Sequence, residues 1–228
     1  MNNLEFFLNL GPNKINAILI DKGNKHKIFN KDFDFENNFN DTKIVINNLN
    51  RILKNLIIEV EKKISNPINT INLMIDNPET LSIYTSVKKN FDNKKIYKNQ
   101  IEYLIEDLKQ QILKNSSDIK IVHILVEYYF LDGEMYNKLP IGETCKDLVI
   151  QTRFICFSKV FTDSLEDLFF NYQIDINKII CTNYAKSLLE NDFMDNLAEA
   201  GLRVVDGFNM KEVDINSKKM IKEGFFEK

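Results

Sequence analysis

The sequence predicts an α/β protein built of two modules, one threaded into the other. Three observations carry that expectation. Two short apolar runs flank a Gly-Pro-Asn turn at the start of the chain, and a long apolar stripe at three- and four-residue spacing follows. A separate series of strand, helix, strand and strand signals then precedes a return to helix and strand.

Leu4–Leu10 and Ile15–Asp21 read as strands joined by Gly11-Pro12-Asn13, and Lys27–Phe33 extends them into a meander. Leu49, Ile52, Leu53, Leu56, Ile57, Val60 and Ile64 share one helical face, and Ser65-Asn66-Pro67 ends that helix. Ile71–Asp76 is a short buried strand. This β-β-β-α-β order opens an actin-like (ribonuclease H-like) subdomain, although other α/β folds open the same way.

In the middle of the chain, Leu81–Val87 reads as a strand, followed by a polar loop that carries Lys88, Lys89, Lys94, Lys95 and Lys98. Ile101, Leu104, Ile105, Leu108 and Ile112 make a second helical stripe, and Ile119–Phe130 and Leu148–Phe157 are strands. Asp163 and Glu166 then fit a capping box before Leu165, Leu168, Phe169 and Tyr172. A strand over Ile174–Cys181 and a helix opening at Asn183-Tyr184-Ala185 complete the pattern. The expected divisions are residues 1–80, 81–160 and 161–190, with 191–228 unassigned.

Composition narrows the function classes. A hydrophobic share of 44% with 28% charged residues is that of a folded globular chain. A net charge of -3 gives no electrostatic reason to expect nucleic acid as a partner. No apolar run approaches the roughly 20 residues that span a bilayer, and the N-terminus has no basic segment before its apolar stretch. Cys145, Cys156 and Cys181 suit neither a zinc site nor a disulfide framework, which points to a reducing, cytoplasmic compartment. His26 and His123 lack metal-ligand spacing, no serine lies in a G-x-S-x-G elbow, and Asp132 beside Glu127 reads as a turn residue before it reads as half of an acid pair.

The most specific segment is Leu125–Leu148, where an aromatic-rich strand meets Asp132-Gly133 and a bend bracketed by Pro140 and Gly142. With Leu148, these residues resemble the signature of the FtsA family, the actin-like proteins of bacterial cell division, in its SHS2 (1C) subdomain. The resemblance covers about Leu4 to Leu189. It implies a partial actin-like (ribonuclease H-like) subdomain with an inserted SHS2 subdomain, the second actin-like lobe being absent because the chain leaves no residues for it. It also makes the surface around Asp132, Gly133, Pro140 and Gly142 the leading protein interface.

In the family, the first hairpin carries a phosphate-1 motif of the form D-x-G-(T/S)-x-K. Here Gly11 and Lys14 agree with it, whereas Asn9 replaces the metal-shell aspartate and Pro12 replaces the hydroxyl residue and a backbone donor. Each lost charge-assisted contact costs about 1.5–3 kcal/mol, so the altered loop argues against ATP and Mg²⁺ as cofactors and against ATPase activity. The nearest phosphate-2 candidate, Val204–Asn209, has one glycine and reads as a turn. At the other end, Lys218, Lys219, Met220, Ile221, Lys222, Phe225 and Phe226 suggest an amphipathic helix of the kind that attaches FtsA proteins to the inner membrane.

The expected function is therefore FtsA-like. The chain would act through protein–protein contacts in septal ring assembly, with divisome proteins and other copies of itself as partners through the SHS2 subdomain. FtsZ is a poor candidate without the second lobe, and the site of action would be the cytoplasmic face of the inner membrane at the division site. Two alternatives stand beside it. One is an ATP-binding actin-like membrane tether for FtsZ, completed by missing sequence or another chain. The other is a ribonuclease H-like metal-dependent enzyme, which needs converging acidic residues where Asn9 now stands.

Overall fold

The computed structural model of the protein describes residues 3–35, 39, 41–78, 80–189 and 196–213. In chain order the elements are β1 (Leu4–Leu10), β2 (Lys14–Asp21), β3 (Lys27–Asp34), α1 (Thr42–Ile64), β4 (Thr70–Ile75), β5 (Leu81–Lys95), α2 (Lys98–Asn115) and β6 (Ile119–Leu131). They continue with β7 (Glu134–Tyr136), β8 (Thr144–Ser158), α3 (Lys159–Asn171), β9 (Asp175–Cys181), α4 (Thr182–Lys186), α5 (Leu197–Val205) and β10 (Glu212–Val213). The described residues divide into two compact units, residues 3–80 with 158–208, and residues 81–157 with 209–213.

In the first unit β1, β2 and β3 form an antiparallel meander, and β4 and β9 add two strands parallel to β1, giving the order β3-β2-β1-β4-β9. The central strands are apolar because both faces are covered: Phe6, Phe7, Leu8 and Leu10 of β1 and Leu73, Met74 and Ile75 of β4 are all buried. Helix α1 buries Val45, Leu49, Leu53, Leu56 and Val60, one per turn on the predicted face. Each such side chain stabilises the fold by about 1.5–3 kcal/mol. The helix starts earlier than the stripe suggests, because the Asp41 carboxylate accepts hydrogen bonds from the Lys43 and Ile44 amides. Ser65, in the left-handed conformation at φ 54°, ends it.

Helix α3 corrects one expectation. Its N-cap is Ser158, whose hydroxyl accepts from the Phe161 amide, so Asp163 and Glu166 lie inside the helix and do not cap it. The capping-box pattern recurs by chance in a chain this rich in acidic residues, and the turn directly after β8 settles the start.

The second unit is threaded between β4 and α3. Its sheet has the order β10-β6-β8-β5, with β7 pairing β6, and α2 covers one face. Ile101, Ile105 and Leu108 of α2 pack with Ile124, Leu148 and Phe154 in a single apolar cluster. Strand β5 is twice as long as its apolar alternation predicts. Lys88, Lys89, Lys94 and Lys95 therefore sit on a strand and not in a loop, and Lys98 opens α2. Register with β8 shifts between Asn90 and Lys94, where Asp92 and Asn93 take positive φ and Phe91 turns into the core. The chain then leaves for the first unit and comes back, since β10 pairs antiparallel with β6 at Ile124 and Leu125.

Candidate functional site

The hairpin between β1 and β2 is where the phosphate-1 motif would act, and three of its polar groups already have partners. The Gly11 amide donates to the Lys14 carbonyl at 3.0 Å, closing the turn. Asn9 is buried, and its side-chain oxygen accepts a 2.7 Å hydrogen bond from the hydroxyl of Thr182, itself fully buried where α4 begins. The Lys14 ammonium lies 3.0 Å from Asp32 on β3. Asp32 also accepts from the Asn16 amide, and these two contacts, Asn16 first, hold its carboxyl below the usual carboxylate range. Of the motif's four positions, Asn9, Gly11 and Lys14 are thus engaged within the first unit, while Pro12 is exposed at the turn.

The phosphate-2 candidate is closed in the same way. Val204 and Val205 belong to α5, and Asp206 and Gly207 form its C-terminal cap, with Gly207 at φ 69°. The amides of Asp206, Gly207 and Phe208 donate back to Leu202, Val204 and Arg203, so no row of N–H groups faces outward for an anion. Asp206 pairs with Lys22 at 2.7 Å, and the Arg203 guanidinium stacks on Phe208. Among the described residues, no three His, Cys, Asp or Glu side chains gather where they could hold a metal ion. Cys145, Cys156 and Cys181 are buried, and burial pushes the Cys156 thiol up to about 12, far from a reactive thiolate.

In the second unit, Asp132-Gly133 is a two-residue hairpin loop between Leu131 and Glu134, with φ of 51° and 92°. Positive φ at both positions is what a primed turn requires, and Gly at the second relieves the steric cost. The Asp132 carboxylate reaches across to β8 and accepts from the amides of Asp147 at 2.8 Å and Lys146 at 3.0 Å. Those two bonds, Asp147's first, pull its carboxyl below the ordinary value. A lowered folded-state pKa stabilises above the unfolded value near 3.8, and the contribution is lost as pH falls through the lower folded value. Asp132→Asn should therefore lower the melting temperature at pH 7 and narrow its gap to wild type below pH 4. An unchanged gap across that range would count against the carboxylate's role.

The other interface candidates behave differently. The Gly142 amide donates to Ile96 at 2.9 Å with φ 85°, so it shapes the bend. Pro140 is buried and presents no side chain to a partner, which removes it from the expected surface. Exposed apolar area near the bend comes from Met135 and Ile141. Glu127 does not pair with Asp132 as a second acid; it lies 2.9 Å from Arg153.

Two features escaped the sequence. The face of the sheet opposite α2 is open over Tyr84, Ser86, Gln151 and Arg153, with Arg153 above the Tyr84 ring and Lys211 above Tyr128. The alternation of Ile83, Thr85 and Val87 with Tyr84, Ser86 and Lys88 was the available signal. The second feature is a buried pair, His123 on β6 and Glu212 on β10, at 2.8 Å. The membrane-tail candidates Lys218, Lys219, Met220, Ile221, Lys222, Phe225 and Phe226 lie outside the described residues. No helix among the described residues is long and apolar enough to cross a membrane.

No protein-family model and no curated protein matches the chain. Among solved structures it is similar to the PilM–PilN type IV pilus biogenesis complex, with a TM-score of 0.51 at 6% identity over 80% of this chain and 48% of that one. The fold is partial actin-like. Two further structures match 80% of the chain at lower TM-scores. One is the cytoplasmic domain of EpsL, an inner membrane component of the type II secretion system of Vibrio cholerae (TM-score 0.37, 12% identity, 57% of that chain). The other is a Bacteroides thetaiotaomicron protein with an actin-like ATPase fold and unknown function (TM-score 0.30, 14% identity, 53% of that chain). The chain spans about half the length of the structures it matches. Within the actin-like part, then, the hairpin that would cradle phosphate is instead closed on its own neighbours.

Proposed function

We propose that the protein is a non-hydrolysing contact component of a bacterial membrane-associated assembly, an FtsA-like part of the septal ring. One observation carries this reading. The Gly11 amide is here spent on the Lys14 carbonyl, the Asn9 oxygen accepts from Thr182, and the amides of residues 206–208 donate back into the last turn of α5. The second unit meanwhile leaves an open sheet face, with Tyr84, Tyr128 and Arg153 of the residue types that dominate protein interfaces. The Asp132-Gly133 hairpin and the Gly142 bend favour the cell-division assignment, with cytoplasmic location and divisome partners. The likeness to the PilM–PilN complex favours a second reading, in which the same module serves pilus assembly.

Mg-ATP should leave the melting temperature unchanged and yield no phosphate above a no-protein control. A ligand that binds the native state alone must raise it, by about 2.7 kcal/mol of stability at a hundredfold excess over Kd. A clear rise would return the ATP-binding tether to first place. A fluorescent fusion in the native cell should band at midcell; a band absent from dividing cells would move the choice to the pilus reading.

A further inference from the structure

The sheet of the second unit ends on β5, and that edge is unusually long and regular. Leu81–Asn90 pair with β8 without a break, ten residues against the roughly 5–6 of an ordinary strand. On the outer side, among the described residues, no backbone–backbone hydrogen bond reaches this stretch. It contains no proline, and the irregularity that would blunt it comes only after Asn90. Such an edge is a template for another strand.

Its own sequence is a fitting partner. We infer that β5 pairs antiparallel with β5 of a second copy of this chain, about a two-fold axis at Thr85, joining two four-strand paths into one continuous sheet. Side chains alternate between faces, so an antiparallel self-pairing that keeps each face in place must centre on a residue. Centred on Thr85, it sets Ile83 against Val87 of the second copy on the α2 side, where both are only partly buried against the core. On the other side Tyr84 meets Ser86, and Ser82 meets Lys88. Lysines on an edge normally repel a second strand. In this register Lys88 faces a serine and Lys89 faces Leu81, and no two lysines are opposed. Centring on Ser86 would put Ile83 against Lys89 and Tyr84 against Lys88, forfeiting both apolar pairs.

The inference rests on the reading of the second unit as a contact module, and names its partner. Sedimentation equilibrium of the full chain should show a concentration-dependent dimer. Ser82 is exposed, so its substitutions leave the monomer fold intact, as circular dichroism will verify. Ser82→Lys opposes lysines at two symmetry-related places and should weaken the dimer roughly three- to tenfold, whereas Ser82→Glu should tighten it by a similar factor. Opposite responses to the two charges would establish the register. A monomer at every concentration, or a dimer that ignores both substitutions or responds alike to them, overturns it. That failure would leave the contact reading to its own tests by Mg-ATP and midcell location.

Discussion

Glu212→Leu should destabilise the second unit by about 1–3 kcal/mol, because it removes one side of a buried polar contact with His123. The two side chains lie 2.8 Å apart, and both are almost wholly removed from solvent. Glu212 arrives on a strand of only two residues, which brings few ladder bonds of its own. Neighbouring contacts on Lys211 assist: its carbonyl accepts from Val126 and its ammonium donates to the Glu127 carbonyl, each at 2.9 Å. The His123–Glu212 contact adds a buried polar link between β10 and β6. Replacing both partners with leucine should restore part of the loss, since the imidazole is then removed together with the carboxylate it contacts. Urea denaturation of the two variants followed by circular dichroism gives the comparison. If the single variant loses under 1 kcal/mol, or the double variant is no better than the single, the pair is not what anchors the returning chain.

How far the fold could be read in advance followed from where each element finds its partner. Helix α1 and strands β1, β2 and β4 bury continuous or one-per-turn apolar faces, so their own residues announce them. The Asp132-Gly133 turn was legible because positive φ at successive positions selects that dipeptide. By contrast, the second half of β5 is exposed on nearly every residue and exists because β8, some 60 residues away, offers a ladder. The two-residue β10 carries no periodicity at all, and its place depends on a distant β6. The same holds at the candidate nucleotide site. A broken motif at Asn9 and Pro12 was visible in the sequence, but the group that occupies Asn9 is Thr182, brought there by the fold. The open sheet face was least legible, since tyrosines and arginines look alike wherever they fall until the fold collects Tyr84, Tyr128 and Arg153.

Asn9→Asp, the substitution that would restore the family's aspartate, should destabilise this protein and not revive a nucleotide site. Position 9 is buried beside Thr182, whose hydroxyl could still donate to a carboxylate but could not replace its lost hydration. Burial raises the folded-state pKa of such a carboxyl above its unfolded value of about 3.9. Below that value both states are protonated and the charge costs nothing. As pH rises from there through the higher folded value, the unfolded state ionises first and stability falls, then levels off. A shift of about two units would cost about 2.7 kcal/mol at neutral pH. The deficit against wild type, read from urea midpoints, should therefore widen between pH 5 and pH 7.5. Saturating Mg²⁺ with ATP should not close it, because the Gly11 amide is committed to the Lys14 carbonyl and Pro12 offers no amide donor. Should Mg-ATP stabilise the variant well beyond wild type, the hairpin would be an open phosphate site that lacks only its charge, and the non-hydrolysing reading would give way to the ATP-binding one.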